Sequence, residues 1–295
     1  MTFRYLTTAI CMLFFVAIQA QSDQKYLGQK PPGKTPEKFA PGLISLPLEY
    51  EFGSTFSRDG EEFFYSVSVN GRGETKYMRL LNGKWTEPEV ILAHEAFGYN
   101  DPMLSVDEDK LYFISTQTET DNPGDYDIWY VERAGESWSS PINAGPMINT
   151  EKSNEYYISF TESGAMYFAS NKAAPSDRGN DFDIYKSEFK NGKFQKARKM
   201  PFNSEYYEGD VFVAPDESYV IFSGENPAGL GRGDLYITFQ NNGEWTNPVN
   251  MGEPINDLGH QFCPFVTYDG KYLFFSSNRD IYWVDAAIIE NYRAK

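Results

Sequence analysis

The chain has 295 residues, with 26 Lys and Arg against 42 Asp and Glu, a formal net charge of −16, and 17% aromatic side chains. That length holds one large domain or two small ones. So acidic a surface repels nucleic acid and anionic lipid, which excludes both as expected partners, and so aromatic a composition excludes a disordered chain.

Residues 1–20 have the features of an export signal: Arg4, an apolar run from Ala9 to Ile18, and Ala20 as the small residue before the expected cleavage. The run is too short to span a bilayer and suits a signal-peptide core. A periplasmic or secreted, monomeric protein with no transmembrane segment after signal removal is therefore expected. Cys11 would leave with the signal, so Cys263 has no intrachain partner; within QFCPF it reads as a small buried apolar residue.

Residues 21–49 carry five prolines and little periodicity, which predicts an extended arm. Gly28, Gly33, Lys34 and Thr35 spell a phosphate-loop pattern there. Pro31 and Pro32 lack the N–H groups such a loop needs, Pro36 follows directly, and no apolar strand precedes. The match is coincidental.

From residue 50 onward the chain repeats. EEFFYS at Glu61–Ser66, KLYFIS at Lys110–Ser115, AMYFAS at Ala165–Ser170, YVIFS at Tyr219–Ser223 and the strand in YDGKYLFFSS are five versions of one aromatic strand. Their equivalent residues Phe63, Leu111, Met166, Val220 and Leu273 are 48, 55, 54 and 53 residues apart. In each unit a strand and a tight turn come first, as at Asp59-Gly60, Ser163-Gly164 and Asp269-Gly270. A third strand opens at Asp127, Asp183, Asp234 and Asp280, with Thr75 in that place in the first unit. A fourth is marked by Trp85, Trp138, Phe194 and Trp245. Several short strands per unit of this length predict an all-β fold: a five-bladed β-propeller of four-stranded antiparallel blades over residues 50–295.

The fifth unit stops after its third strand, leaving an unpaired edge. The arm offers an aromatic-proline segment at residues 39–44, predicted to pair there as the ring-closing N-terminal strand.

YDGKYLFFSSNRDIYWV at Tyr268–Val284 and VAPDESYVIFS at Val213–Ser223 resemble the TolB-type, WD40-like propeller repeat of exported bacterial proteins. The resemblance covers about 235 residues and implies the fold; propellers host many activities, so it implies no particular one. TolB's additional N-terminal α/β domain has no counterpart here, and its partnership with peptidoglycan-associated lipoprotein is not carried over.

The first strand of each blade lines the central channel. Counting back from Ser57, Ser105, Thr161, Ala214 and Thr267, the sixth residue is Glu51, Tyr99, Glu155, Glu208 and Gln261. The fourth is Gly53, Asp101, Tyr157, Asp210 and Cys263, with Tyr207 and His260 flanking the ring. The expected ligand-binding set is Glu51, Tyr99, Asp101, Glu155, Tyr207, Glu208, His260 and Gln261. Tyrosines would give faces and carboxylates would accept hydroxyl or amine protons, suiting a glycan, peptide or protein partner at the cell envelope. A solvated channel mouth with no ligand accounts for the same residues, since ligand pockets are few per protein.

The favoured function is a non-catalytic binding or scaffold module. The alternative is a carbohydrate-active hydrolase using Asp101, Glu155, Glu208 and Asp210, because glycosidases need two carboxyls roughly 5–9.5 Å apart. No G-x-S-x-G elbow exists, and with two histidines and no cysteine pair a zinc site is not expected. No cofactor is expected. Acidic loops (Asp121, Asp125 and Asp127; Asp177, Asp181 and Asp183) suit Ca²⁺ in residue type but lack a twelve-residue calcium loop. Arg232-Gly233-Asp234 overlies the repeat's own loop-to-strand junction and reads as structural.

Overall fold

A computed structural model describes residues 24–118, 124–173 and 181–293; the expected signal segment and the acidic-loop residues Asp121 and Asp177 lie outside them. Five antiparallel sheets form the blades of a propeller. The inner strands are Glu51–Phe56, Asn100–Leu104, Glu155–Phe160, Glu208–Val213 and Phe262–Val266. Each touches the inner strand of the next blade, and the fifth touches the first, so the ring is closed.

The second strands (Glu62–Val69, Lys110–Ser115, Met166–Ser170, Tyr219–Gly224 and Tyr272–Ser277) are almost wholly buried. Their apolar residues face both ways because each lies inside a blade flanked by two others. Sequence position alone explains the fourth strand, which comes in two short pieces. Trp85, Trp138 and Trp245 pair with the far end of the third strand, opposite Leu80, Arg133 and Gln240. The proline that follows each Trp lacks an amide donor and interrupts the ladder. Pairing resumes nearer the ring at Glu89–Leu92, Ile142–Asn143 and Val249–Asn250; Arg198–Lys199 takes this place in blade 3.

Blade 5 receives this last piece from the arm. Glu37 and Lys38 pair with Trp283 and Tyr282, and the Phe39 amide donates to the Ile281 carbonyl at 2.8 Å. The pairing therefore lies just ahead of residues 39–44. The graft reproduces the native arrangement: Ala144, Met200 and Met251 donate to Ile128, Ile184 and Leu235 in the same way. The aspartate opening the third strand also finds the same partner position. Asp127 meets Asn143, Asp183 meets Lys199, Asp234 meets Asn250, and Asp280 meets Lys38 at 2.6 Å. Phe39 is 0% exposed and packs edge-on against Phe63, Phe274 and Trp283 at 5.0–5.5 Å. Burying it contributes roughly 2–3 kcal/mol, which locks the arm into the ring.

Candidate functional site

Each inner strand carries one irregularity, and it decides what faces the channel. Pairing with the second strand slips between Phe52 and Ser54, Asn100 and Met103, Tyr156 and Ile158, Gly209 and Phe212, and Phe262 and Phe265. Within each slip one residue takes left-handed backbone: Gly53, Asp101, Tyr157, Asp210 and Cys263, with φ between 45° and 55°. These are β-bulges, which bend a strand and re-aim a side chain. Four of the five lack glycine's freedom, so backbone strain is held at the inner edge of four blades. Glycine is required at position 53: a Cβ there would run into the Asp101 carboxyl.

The bulge breaks strict alternation, so the sixth and fourth residues do not share a face. The sixth points into the blade. Glu51 accepts from the Leu46 amide at 3.2 Å, and Glu155 accepts from the Thr150 amide and hydroxyl and from Ser170 Oγ at 2.7–3.1 Å. Glu208 accepts from the Ser204 amide at 3.0 Å and from its hydroxyl. Gln261 accepts from the Asp257 amide at 3.2 Å and donates to Ser277 Oγ at 3.1 Å. In four blades the side chain thus ties down the loop entering its own strand. Tyr99 stands at this position in blade 2 and donates to Gln117 Oε1 at 3.0 Å. Burial raises Glu51, Glu155 and Glu208 to about 7, against the opposing pull of the bonds they accept.

The channel mouth is a cavity of about 620 Å³. Asp101, Asp210 and Cys263 line it from the bulges. Its aromatic wall comes from the fifth and seventh residues back: Phe52, Tyr156 and Phe262, then Tyr50 and Tyr207. Tyr126, Tyr156, Phe182 and Tyr207 form a continuous belt, with successive ring centres 5.0, 4.9 and 5.6 Å apart. Tyr50 and Phe52 pair across from it at 5.4 Å. Gly209 lacks a side chain where blades 3 and 5 carry Tyr156 and Phe262, and the Tyr207 hydroxyl occupies that space. Arg72 and Glu225 are exposed at the rim.

Asp101 is 8% exposed and accepts a bond from Cys263 Sγ at 3.3 Å, a weak donor. Burial raises it to about 6, the thiol bond opposing. Burial, then the charges of Asp101 and Glu225, raise Asp210 to about 8. The Cys263 thiol is held far above its ordinary value by burial and by both aspartates.

Of the residues expected from sequence, the cavity gathers Asp101, Tyr207 and Asp210 and does not gather Glu51, Tyr99, Glu155, Glu208 or Gln261. Glu208 lines a smaller adjoining hollow of about 310 Å³, which shares Tyr207 with the main one. His260 stacks on Phe262 at 4.9 Å and lies 3.3 Å from the Arg232 guanidinium; burial and that charge lower it to about 4. Phe52, Tyr156, Phe262 and Tyr50 were missed; the same count back, moved by one residue, finds them. Among the described residues no group of three or more His, Cys, Asp or Glu is arranged to hold a metal ion. Asp234 anchors the Leu230 and Gly231 amides, so Arg232-Gly233-Asp234 is part of the junction architecture.

The ring, its five repeats and its bulged inner strands define a TolB-like β-propeller. Among solved structures, TolB from Acinetobacter baumannii is similar with a TM-score of 0.51 and 16% identity, over 79% of this chain and 53% of that one. A protein of unknown function from Dyadobacter fermentans is similar with a TM-score of 0.53 and 13% identity, over 86% of this chain and 83% of that one. This chain spans about half the length of the Acinetobacter protein. No protein-family model and no curated protein sequence matches the chain. Among the described residues no helix is long and apolar enough to cross a membrane.

Proposed function

We propose that the chain is an exported, non-catalytic binding platform at the cell envelope, taking a glycan, peptide or protein partner at the channel mouth. One observation carries this reading: a cavity of about 620 Å³ that is walled by aromatic rings and has two carboxyls on its bulged strands. Concave, aromatic sites with a few placed polar groups are how proteins hold small ligands or projecting side chains. The TolB-like fold supports a binding role in general, since a rigid ring presents such a mouth without moving parts. The test is calorimetric titration with oligosaccharides and short peptides, repeated on Tyr156→Ala. Binding that weakens at least tenfold in the variant supports the mouth as the seat; equal binding by both proteins rejects it.

A second reading, a carbohydrate-active hydrolase, is favoured by one feature. Asp101 and Asp210 share one cavity but are raised to different values, about 6 and about 8, as an acid and its partner carboxylate would be. Hydrolysis of an oligosaccharide, lost in Asp210→Asn, would replace the platform reading.

A further inference from the structure

We infer that the channel mouth takes an organic cation, an ammonium or guanidinium group, seated against Asp101 and Asp210 and enclosed by the aromatic belt. This rests on the platform reading and narrows it to a ligand chemistry.

The first ground is the pairing of the two acids. Among the described residues Asp101 accepts only the weak thiol bond from its side-chain neighbours, and no ion pair or side-chain hydrogen bond reaches Asp210. Elsewhere in the ring, buried carboxyls take donors from their own chain: Glu155 accepts three bonds, and Glu51 and Glu208 each bond through one oxygen and leave Oε2 without a partner. Buried acceptors are ordinarily paired, so the nearly buried Asp101 and the half-buried Asp210, left this bare beside an open cavity, suit a donor from outside.

The second ground is independent of the acids. The belt of Tyr126, Tyr156, Phe182 and Tyr207 surrounds the same space. Aromatic faces attract cations, and they do so most strongly where water is excluded. A divalent metal fits poorly, since rings provide no oxygen ligands and two carboxyls leave most of its shell unfilled. An anion would meet both acids. A neutral sugar would find stacking faces but would leave the Asp101 carboxylate without a counter-charge.

Proton linkage follows from the surroundings. Asp101 has Cys263, Tyr50 and Tyr157 about it; Asp210 has Tyr156, Tyr157, Tyr207 and Glu225. The cations nearby are Arg72 at the rim, and Arg279 and Arg232, which act on Tyr50; Arg279 lies over its ring at 5.3 Å. Among the described residues no ion pair joins any of them to either aspartate. An aspartate raised toward 8 is largely protonated at neutral pH, so a cation that binds it must displace the proton. Affinity then rises with pH.

The experiment is calorimetry on the full chain with four probes: spermidine, a short lysine peptide, the same peptide acetylated at lysine, and a neutral oligosaccharide. Each is run at pH 6.0 and 8.5, in two buffers of different ionisation enthalpy. The expected result is binding of spermidine or the lysine peptide, tightening by about tenfold per pH unit for each proton released as pH rises from 6.0 toward 8, and accompanied by proton release into the buffer at pH 6.0. Binding should weaken at least tenfold in Asp210→Asn. Spermidine alone would mark a free polyamine as the source, and the lysine peptide alone a protein side chain; either sustains the inference. No cation binding, equal binding of the acetylated peptide, or pH-independent affinity overturns it. If Asp210→Asn fails to fold, the proton release and pH dependence of the unaltered protein still decide. A neutral oligosaccharide or acetylated peptide that binds and is weakened by Tyr156→Ala would overturn the cation while keeping the platform.

Discussion

Two sets of carboxyls stand at inner-strand positions two residues apart, sharing one strand only where Glu208 and Asp210 lie together in blade 4, and they do opposite things. Glu51, Glu155 and Glu208 point into their blades and fasten the entering loop; Asp101 and Asp210 occupy bulges and face the channel. Burial raises all five. What separates them is hydrogen bonding. The glutamates have donors from their own chain, whereas among the described residues the two aspartates have one weak side-chain donor between them. A raised carboxyl is thus a sign of burial here, and only its partners tell structure from site.

Breaking the first set should cost the most. Glu155→Ala removes two bonds to Thr150 in the entering loop and one to Ser170 on the second strand, with an expected loss of roughly 3 kcal/mol and a melting point lower by about 6–12 °C. Glu155→Gln, which keeps acceptor and shape, should lose less than half of that. An unchanged melting point in Glu155→Ala would remove the distinction between the sets.

Acidity probes both sets together. Each of these groups has a folded value above its unfolded one, so the native state binds more protons and stability declines as pH rises. The stabilisation is complete below the ordinary carboxylate range, near pH 4, and is lost through about 7 for the glutamates and about 8 for Asp210. Denaturant melts between pH 5 and 8.5 should show that fall, and Glu208→Gln should flatten its lower part. A stability that rises over this range would contradict the burial of these groups.

Asp210→Asn sharpens the contrast from the other side. It removes a half-buried acid that has no side-chain partner among the described residues, so the melting point at pH 8 should stay level or rise by a few degrees, while ligand binding falls. A modest loss of stability is expected for Tyr156→Ala. Tyr156 is only half-buried, and its two ring contacts are worth about 1–2 kcal/mol together. Its loss should be felt in titrations far more than in melts.

The ring was legible because its spacing and its aromatic second strand recur five times, and a missing fourth strand pointed to the arm. The clasp lies two residues ahead of the aromatic-proline segment because Phe39, though aromatic like Trp85 and its equivalents, does not occupy their place. It instead stands with Ala144, Met200 and Met251, just after the pairing. The channel was half legible. Asp101 and Asp210 stand out by counting, but strict alternation put Glu51, Glu155 and Glu208 beside them. A bulge leaves no common residue type to read: Gly53, Asp101, Tyr157, Asp210 and Cys263 share only a backbone angle. One extra residue per strand is enough to turn a row of acids away from the mouth and bring Phe52, Tyr156 and Phe262 round to it.

The seating of Lys38 and Phe39 on the fifth sheet also sets an order of events. Synthesis makes residues 24–45 first and the sheet that receives them last, so four blades and part of a fifth exist before the ends can meet. Until then the nascent chain is an open arc with a raw edge at each end, the arrangement most exposed to mispairing with a neighbour. Leu48, 98% exposed between arm and ring, is where a protease would find the thread. A nick there would leave the latch in place, held by its ladder and by Phe39 rather than by a covalent bond.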